Sequence, residues 1–205
     1  MSGLRLAALR ASLAQGAQII EHANAQLDVA AAGRVVDALV GCRGRRFFTG
    51  VGKSGLAAAR MASSLTSVGL ASQWVHGAEW AHGELGAVGD GDVLVCVSHS
   101  GTTAELLQLS DHLVSRGDDV ALVALTGDAG SPLARRSALA LACAAPAALE
   151  ASGLLPTASQ LAAHHVFNAL LCECVAQLEL TPQAIARNHP GGRVGVHARA
   201  QEPAT

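Results

Sequence analysis

A chain of 205 residues, half of them hydrophobic, is long enough for one ordinary domain and apolar enough to bury a sizeable core. Fourteen basic side chains against sixteen acidic ones give a formal net charge of −2, a balance that argues against a nucleic-acid partner, which would want a clustered basic face. An aromatic content of 2% leaves little for bases to stack on, and a charged fraction of 15% excludes long disordered tails.

Residues 2–40 contain no proline and space their apolar positions as helices do, and 42 alanines in the whole chain favour close helix packing. They read as two helices with breaks at Gly16 and Gly33. Arg46–Val51 is a short β-prone run ending in glycines, and Ser54–Ser67 after it is helical. A second strand, Gln73–His76, leads into a loop around Ala78–Val88 that bears Gly and His. Asp92–Ser98 is a near-continuous apolar run, as in a strand buried on both faces. Thr103–Arg116 then reads as a helix, Val120–Thr126 as another buried strand, Ser131–Ser137 as a short helix and Ala138–Ala142 as a last strand. Thr157–Leu178 is a long apolar helix whose expected cap is Thr157. From Gln201 the chain is expected to fray.

Strands alternating with helices at this spacing predict an α/β three-layer sandwich of flavodoxin/Rossmann type, a central parallel sheet with helices on both faces. The expected layout is N-terminal helices over 1–40 packed on a domain over 41–195, with a tail over 196–205. Ligands of such sheets sit beyond the carboxyl ends of the strands. Three polar, glycine-bearing segments fall there: Gly50–Gly55, Ser98–Thr103 and Thr126–Ser131.

Five cysteines (42, 96, 143, 172 and 174) make an odd count without a C-x-x-C pair. The expectation is inert core thiols, neither a disulfide framework nor a zinc site. Arg5, Arg10 and Gln15 interrupt the alanine-rich start, so no signal peptide is expected. Ala151–Leu171 lacks formal charge but contains Pro156, Gln160, His164 and His165, too polar for a membrane span. His164 and His165 read as core or surface residues of the long helix. A cytoplasmic chain without a membrane partner follows.

Gly50-Val51-Gly52-Lys53-Ser54-Gly55 matches G-x-G-x-x-G between a strand and a helix, the dinucleotide pattern. The ribose-binding carboxylate expected about 20 residues later is missing, because 72–76 read Ser-Gln-Trp-Val-His. A P-loop needs a glycine where Phe47 stands. What survives is a tight turn presenting backbone N–H groups, a hydroxyl and one ammonium at a helix start, a cradle for an anion or sugar phosphate. Lys53 is the single lysine beside thirteen arginines, and it supplies a compact point charge that arginine cannot.

Ser98-His99-Ser100-Gly101-Thr102-Thr103 follows a buried strand and opens a helix containing Glu105. Four hydroxyls and a glycine there form a phosphate nest. N-capping by Ser100 or Thr102, with Glu105 closing a capping box, accounts for one hydroxyl, not four. No carboxylate cluster adjoins the loop, so a phosphate monoester suits it better than a nucleoside triphosphate.

Five segments together resemble the sugar isomerase (SIS) domain family and, within it, the arabinose 5-phosphate isomerase branch. They are G-V-G-K-S-G (50–55), V-H-G-A-E-W-A-H-G-E-L-G (75–86), S-H-S-G-T-T-A-E (98–105), E-A-S-G-L-L-P-T (150–157) and N-H-P-G-G (188–192). The resemblance implies the SIS fold and a catalytic set of Lys53, Glu105, Glu150 and His189. It implies phosphate contacts from Ser54, Ser98, Ser100 and Thr103, with Gly52, His99, Gly101 and Thr102 in the same two loops and His82 lining the site. It also implies dimers or tetramers. The chain departs from the family's usual Asn and Glu at His99 and Thr102, and its loop after Glu150 is about two residues shorter. The 205 residues end before the regulatory CBS pair that often follows would begin, so none is expected.

The implied reaction interconverts an aldose and a ketose phosphate, most plainly D-ribulose 5-phosphate and D-arabinose 5-phosphate, by moving a proton between adjacent carbons through an enediol. Either Glu105 or Glu150 can act as base, with burial raising the carboxyl toward the working range. His189 assists ring opening or shuttles the oxygen proton, and Lys53 stabilises the enediolate. No metal or redox cofactor is required. The alternatives are an isomerase of another sugar phosphate and a non-catalytic module that binds phosphosugars. The apolar faces of 2–40 and 157–178 predict a homodimer or homotetramer whose sites are shared, with His189 reaching a neighbouring chain's Lys53 and Glu105.

Overall fold

The computed structural model describes residues 6–201. The first five residues and residues 202–205, which include most of the expected frayed end, lie outside the described residues. Five strands, β1 (Arg46–Gly50), β2 (Ser72–His76), β3 (Val93–Ser98), β4 (Ala121–Thr126) and β5 (Leu139–Ala142), pair in parallel in the order β2-β1-β3-β4-β5. The register sets Gly50 opposite both His76 and Val97, and Ser98 opposite Thr126. Every β3 residue is buried because helices cover both faces, which is why its sequence reads as an unbroken apolar run.

The alternation of side chains divides the core in two. Phe48, Val93, Val95 and Val97 pack under α1 (Ala7–Gln26), α2 (Val29–Gly41), α3 (Gly52–Ser67) and α6 (Ala158–Gln177). Phe47, Leu94 and Cys96 pack under α4 (Ala104–Arg116), α5 (Pro132–Arg136) and the short 3-10 turns Glu79–His82 and Glu84–Ala87. The layering predicted from sequence is therefore present. Helices α7 (Pro182–Asn188) and α8 (Gly192–Ala200) end the described chain, and α8 runs through the expected edge at 195.

Both glycines read as helix breaks lie inside helices, Gly16 in α1 and Gly33 in α2. The break falls instead at Leu27–Asp28, where the Asp28 carboxylate accepts the Ala31 N–H at 2.9 Å. A glycine within a helix costs about 1 kcal/mol. Burial of Ala31, Ala32, Val35, Val36 and Leu39 along α2 outweighs it. Arg46 is also buried, and its guanidinium holds the carbonyls of Leu39 (2.5 Å) and Cys42 (3.0 Å), pinning the C-terminal end of α2 to β1.

Candidate active site

The strand order reverses between β1 and β3, and in a 2-1-3-4-5 sheet that switch point opens a crevice beyond the carboxyl ends of these two strands. The turn after β1 is the glycine-rich segment, and the loop after β3 is the serine-rich one. Both run into a helix whose first N–H groups receive no side-chain cap: Val51 precedes α3, and Thr103 precedes α4 without a cap bond of its own. The capping box of Thr102 and Glu105 does not form.

In the first turn the glycines are there for space. A Cβ on Gly50 would stand 2.9 Å from Gly55 N and from Val97 O, and one on Gly55 would stand 2.7 Å from Gly50 O. Gly52 takes a φ of +59°, in the left-handed region. The turn thus starts α3 directly against β1, with Lys53 exposed and Ser54 half-buried beside it.

In the second loop, the Ser98 hydroxyl is buried and bonds to Thr103 Oγ1 at 2.8 Å while accepting the Gly101 N–H at 3.2 Å. The Thr102 N–H and hydroxyl both donate to Ser100 Oγ, at 3.2 and 2.9 Å, and these two residues are exposed. Ser98 with Thr103 therefore shapes the loop, whereas Ser100 with Thr102 faces outward. Gly101 has a φ of +60° and lies against Ser131, so that any Cβ there would overlap it. Thr126 and Gly127 complete the wall. Gly127 N–H donates to the His99 carbonyl at 2.9 Å, and the His99 ring packs on Gly127 so closely that a Cβ would fall 2.5 Å from it.

A narrow cleft joins these segments, lined by Ser54, His99, Thr126, Gly127, Ser159 and Gln160 among others. Ser159 and Gln160 escaped the reading of the sequence. The signal was the polar Thr157-Ala158-Ser159-Gln160 start of an otherwise apolar helix. Glu150 sits at that start. Its Oε2 accepts the N–H groups of Thr157 (2.5 Å) and Ala158 (2.8 Å), and its Oε1 accepts that of Ser159 (2.9 Å). The expected cap, Thr157, makes no cap bond; its hydroxyl lies on the Glu150 carboxylate instead. Three N–H donors converging on a helix N-terminus favour a charged acceptor over a hydroxyl.

This arrangement corrects the expectation of a raised glutamate at position 150. Partial burial pushes the Glu150 carboxyl up, but the Ser159 hydroxyl and the N–H groups of Ser159, Ala158 and Thr157 together outweigh it. The group is held below the ordinary glutamate range.

Glu105, in the first turn of α4, faces a second space. It lines a cavity of about 320 Å³ with Gln108 and His112 from the same helix face and with Trp80, Leu85 and Leu109. Trp80 is buried, anchored by its indole N–H on Thr49 Oγ1 at 2.8 Å and packed edge-to-face on Phe47. His82 ends one of the flanking turns, exposed and without a hydrogen bond among the described residues.

His189 is not brought to these groups. Its Nδ1 lies 2.9 Å from the Ile185 carbonyl, and the neighbouring Asn188 amide donates to Ser67 O at 3.3 Å, at the C-terminal end of α3. Lys53 stands at the other end of that helix. Fourteen residues at 1.5 Å rise separate the two ends by about 20 Å. Within one chain, His189 and Lys53 belong to opposite ends of α3.

All five cysteines are free. Burial pushes the Cys96 and Cys143 thiols up to about 12, as inert core groups require, whereas Cys172 points outward from α6. His164 joins Arg60 (3.2 Å) where α3 meets α6, and His165 reaches Asn24 of α1 (2.7 Å), structural places in both cases. Among the described residues no three His, Cys, Asp or Glu gather as a metal site, and no single helix is long and apolar enough to cross a membrane.

Residues 39–172 match the SIS domain family. The chain is 31% identical over 190 residues to arabinose 5-phosphate isomerase KpsF of Escherichia coli, covering 93% of this chain and 58% of that protein. It is 32% identical over 162 residues to arabinose 5-phosphate isomerase KdsD of Pseudomonas aeruginosa, covering 79% and 49%. The chain thus spans about half the length of these relatives. Its fold superposes on the structure of an E. coli CFT073 protein in complex with arabinose 5-phosphate with a TM-score of 0.84 and 28% identity, over 93% of this chain and all of that one.

Proposed function

Because the chain belongs to the SIS domain family, we propose that its switch-point crevice binds a sugar phosphate and isomerises it between aldose and ketose, as D-arabinose 5-phosphate and D-ribulose 5-phosphate. One observation carries this: two helix N-termini without side-chain caps, α3 with Lys53 and Ser54 and α4 with the serine–threonine loop, open on the same crevice. Their N–H groups and dipoles favour a phosphate. Ser54, Ser100 and Thr102 supply hydroxyls to it, Ser98 and Thr103 hold the loop's shape, and Gly52, His99 and Gly101 set the backbone around it. Two relatives and the superposed structure named above concern arabinose 5-phosphate, which supports a pentose phosphate.

The proton work falls to Glu105, since the Glu150 carboxylate is occupied by three N–H donors and is the weaker base. Glu105 removes the proton on C2 of the open-chain aldose, leaving a cis-enediolate with its charge on O1. The oxygen proton passes from O2 to O1 as the carbonyl forms at C2, and Glu105 returns its proton to C1. Lys53 stabilises the negative oxygen in between. His189 assists ring opening from a second copy of the chain, because its own chain places it about 20 Å from Lys53 along α3. The outer half of α1, with Leu6, Leu9 and Leu13 exposed on one stripe, offers apolar surface for the same association.

A coupled assay with ribulose 5-phosphate, run beside thermal unfolding with the same ligand, tests the proposal. Turnover with stabilisation is expected. Stabilisation without turnover identifies a binding module, and the absence of both overturns the sugar-phosphate site.

A further inference from the structure

Ser54, His99 and Gln160 come from three elements, the α3 start, the loop after β3 and the α6 start, and line one narrow cleft. None of the three side chains makes a hydrogen bond among the described residues. The other hydroxyls of the cleft are engaged. Thr126 Oγ1 lies on the His99 carbonyl (3.3 Å) and on Ser131 Oγ (3.4 Å), and the Ser159 hydroxyl serves the Glu150 carboxylate. The Cys143 thiol in the wall is kept neutral by burial, which pushes it up to about 12. No carboxylate is among the lining residues. The cleft measures about 10 Å³, room for one oxygen atom but not for a sugar ring.

The His99 ring is placed by Gly127, where a Cβ would fall 2.5 Å from His99 Cε1 and 2.6 Å from Nδ1. Charge around the ring is one-sided. Lys53 is exposed at the α3 start beside Ser54. Of the acids on the elements that meet here, Glu150 before α6 takes three N–H groups, and Asp128 after β4 accepts the Gly130 N–H at 2.8 Å. Glu105 of α4 lines the cavity on the other face. None of these acids pairs with His99 among the described residues. Arg135 of α5 lies on the Gly130 carbonyl, and His164 of α6 on Arg60.

We propose that Ser54, His99 and Gln160 hold one oxygen of the substrate's phosphate, and that His99 takes up a proton as this dianion binds, so that selection of phosphorylated sugars is linked to pH. The inference rests on the proposed phosphate site and adds to it the side chains that read the phosphate's charge. A neutral imidazole offers one N–H, whereas the imidazolium offers two and a positive charge. A hydrogen bond from an ionised donor to an anion is roughly twice as strong as a neutral one. The serine hydroxyl and the glutamine amide donate in the same way at any pH.

Sulfate is the probe, because it stays a dianion from about pH 6 to about pH 8, the range in which histidines titrate. Its dissociation constant is measured by calorimetry at both ends of that range, in buffers of different ionisation enthalpy, so that proton uptake is read directly. The wild type should bind about fivefold more tightly at the acid end and take up a fraction of a proton. His99→Asn, at an exposed position, should bind equally at both ends without proton uptake and with its melting temperature unchanged. Gln160→Ala should weaken binding at both ends and keep the pH dependence, which separates the titrating donor from the constant one. Proton uptake retained in His99→Asn overturns the proposal, as does a wild type whose sulfate affinity ignores pH or that binds no sulfate, even if ribulose 5-phosphate is turned over. A wild type that takes up the proton but turns nothing over keeps the pocket and removes the isomerase.

Discussion

The helix starts around the crevice fall into two kinds. At α6 the protein provides its own anion: Glu150 takes three N–H groups and is held ionised by them. At α3 and α4, a few residues beyond β1 and β3, no side chain does this, and the surroundings are an ammonium and hydroxyls. The partial positive charge of a helix start is the same in all three. What differs is whether the chain neutralises it, and a start left uncapped beside Lys53, Ser54, Ser100 and Thr102 is where a ligand's charge is worth most. In the proposed reading, the α6 start serves stability, and the α3 and α4 starts serve binding.

Substitutions should separate the two kinds. The largest effect is expected at Glu105→Gln, which removes the proposed base beside the α4 start. Turnover should fall by about 10²–10⁴ with the melting temperature unchanged; a variant that keeps near-wild-type rates transfers the base role elsewhere. Lys53→Met at the α3 start should cost about 10²–10³ in turnover, again without loss of stability because the side chain is exposed.

Ser100→Ala with Thr102→Ala tests binding without chemistry. Inorganic phosphate at about 100 times its dissociation constant stabilises a binder by about 2.7 kcal/mol. That thermal shift should appear in the wild type and shrink in the double variant. An undiminished shift would place the anion away from the serine loop.

The smallest change is expected at the filled start, and it should appear in stability. Glu150→Gln keeps an acceptor but loses the charge, costing about 1 kcal/mol. The Glu150 carboxyl is held below its ordinary range, so its contribution is fully present above the unfolded glutamate pKa and is lost as pH falls through the lower folded value. Unfolding curves of wild type and variant should therefore differ at neutral pH and converge in acid. A gap that persists in acid would mean the cap does not depend on ionisation.

Local periodicity and turn chemistry sufficed for the strands, the layers and the two loops that carry the hydroxyls, because a strand buried on both faces and a glycine-rich turn are short-range patterns. They were enough, with the absent ribose acid and the Phe47 at the P-loop glycine position, to set aside both nucleotide patterns. They failed at Gly16 and Gly33, where the cost of a helical glycine was outweighed by burial that only the packed core supplies. They failed again at Glu150, seven to nine residues before the N–H groups it caps, since the turn over 151–155 brings it back to α6. Only the tertiary structure could place His189 beyond the far end of α3 and set Glu105 over a cavity on the other face. Sequence order says which residues follow one another, whereas reach is decided by which end of a rigid helix, and which face of the sheet, each residue is carried to.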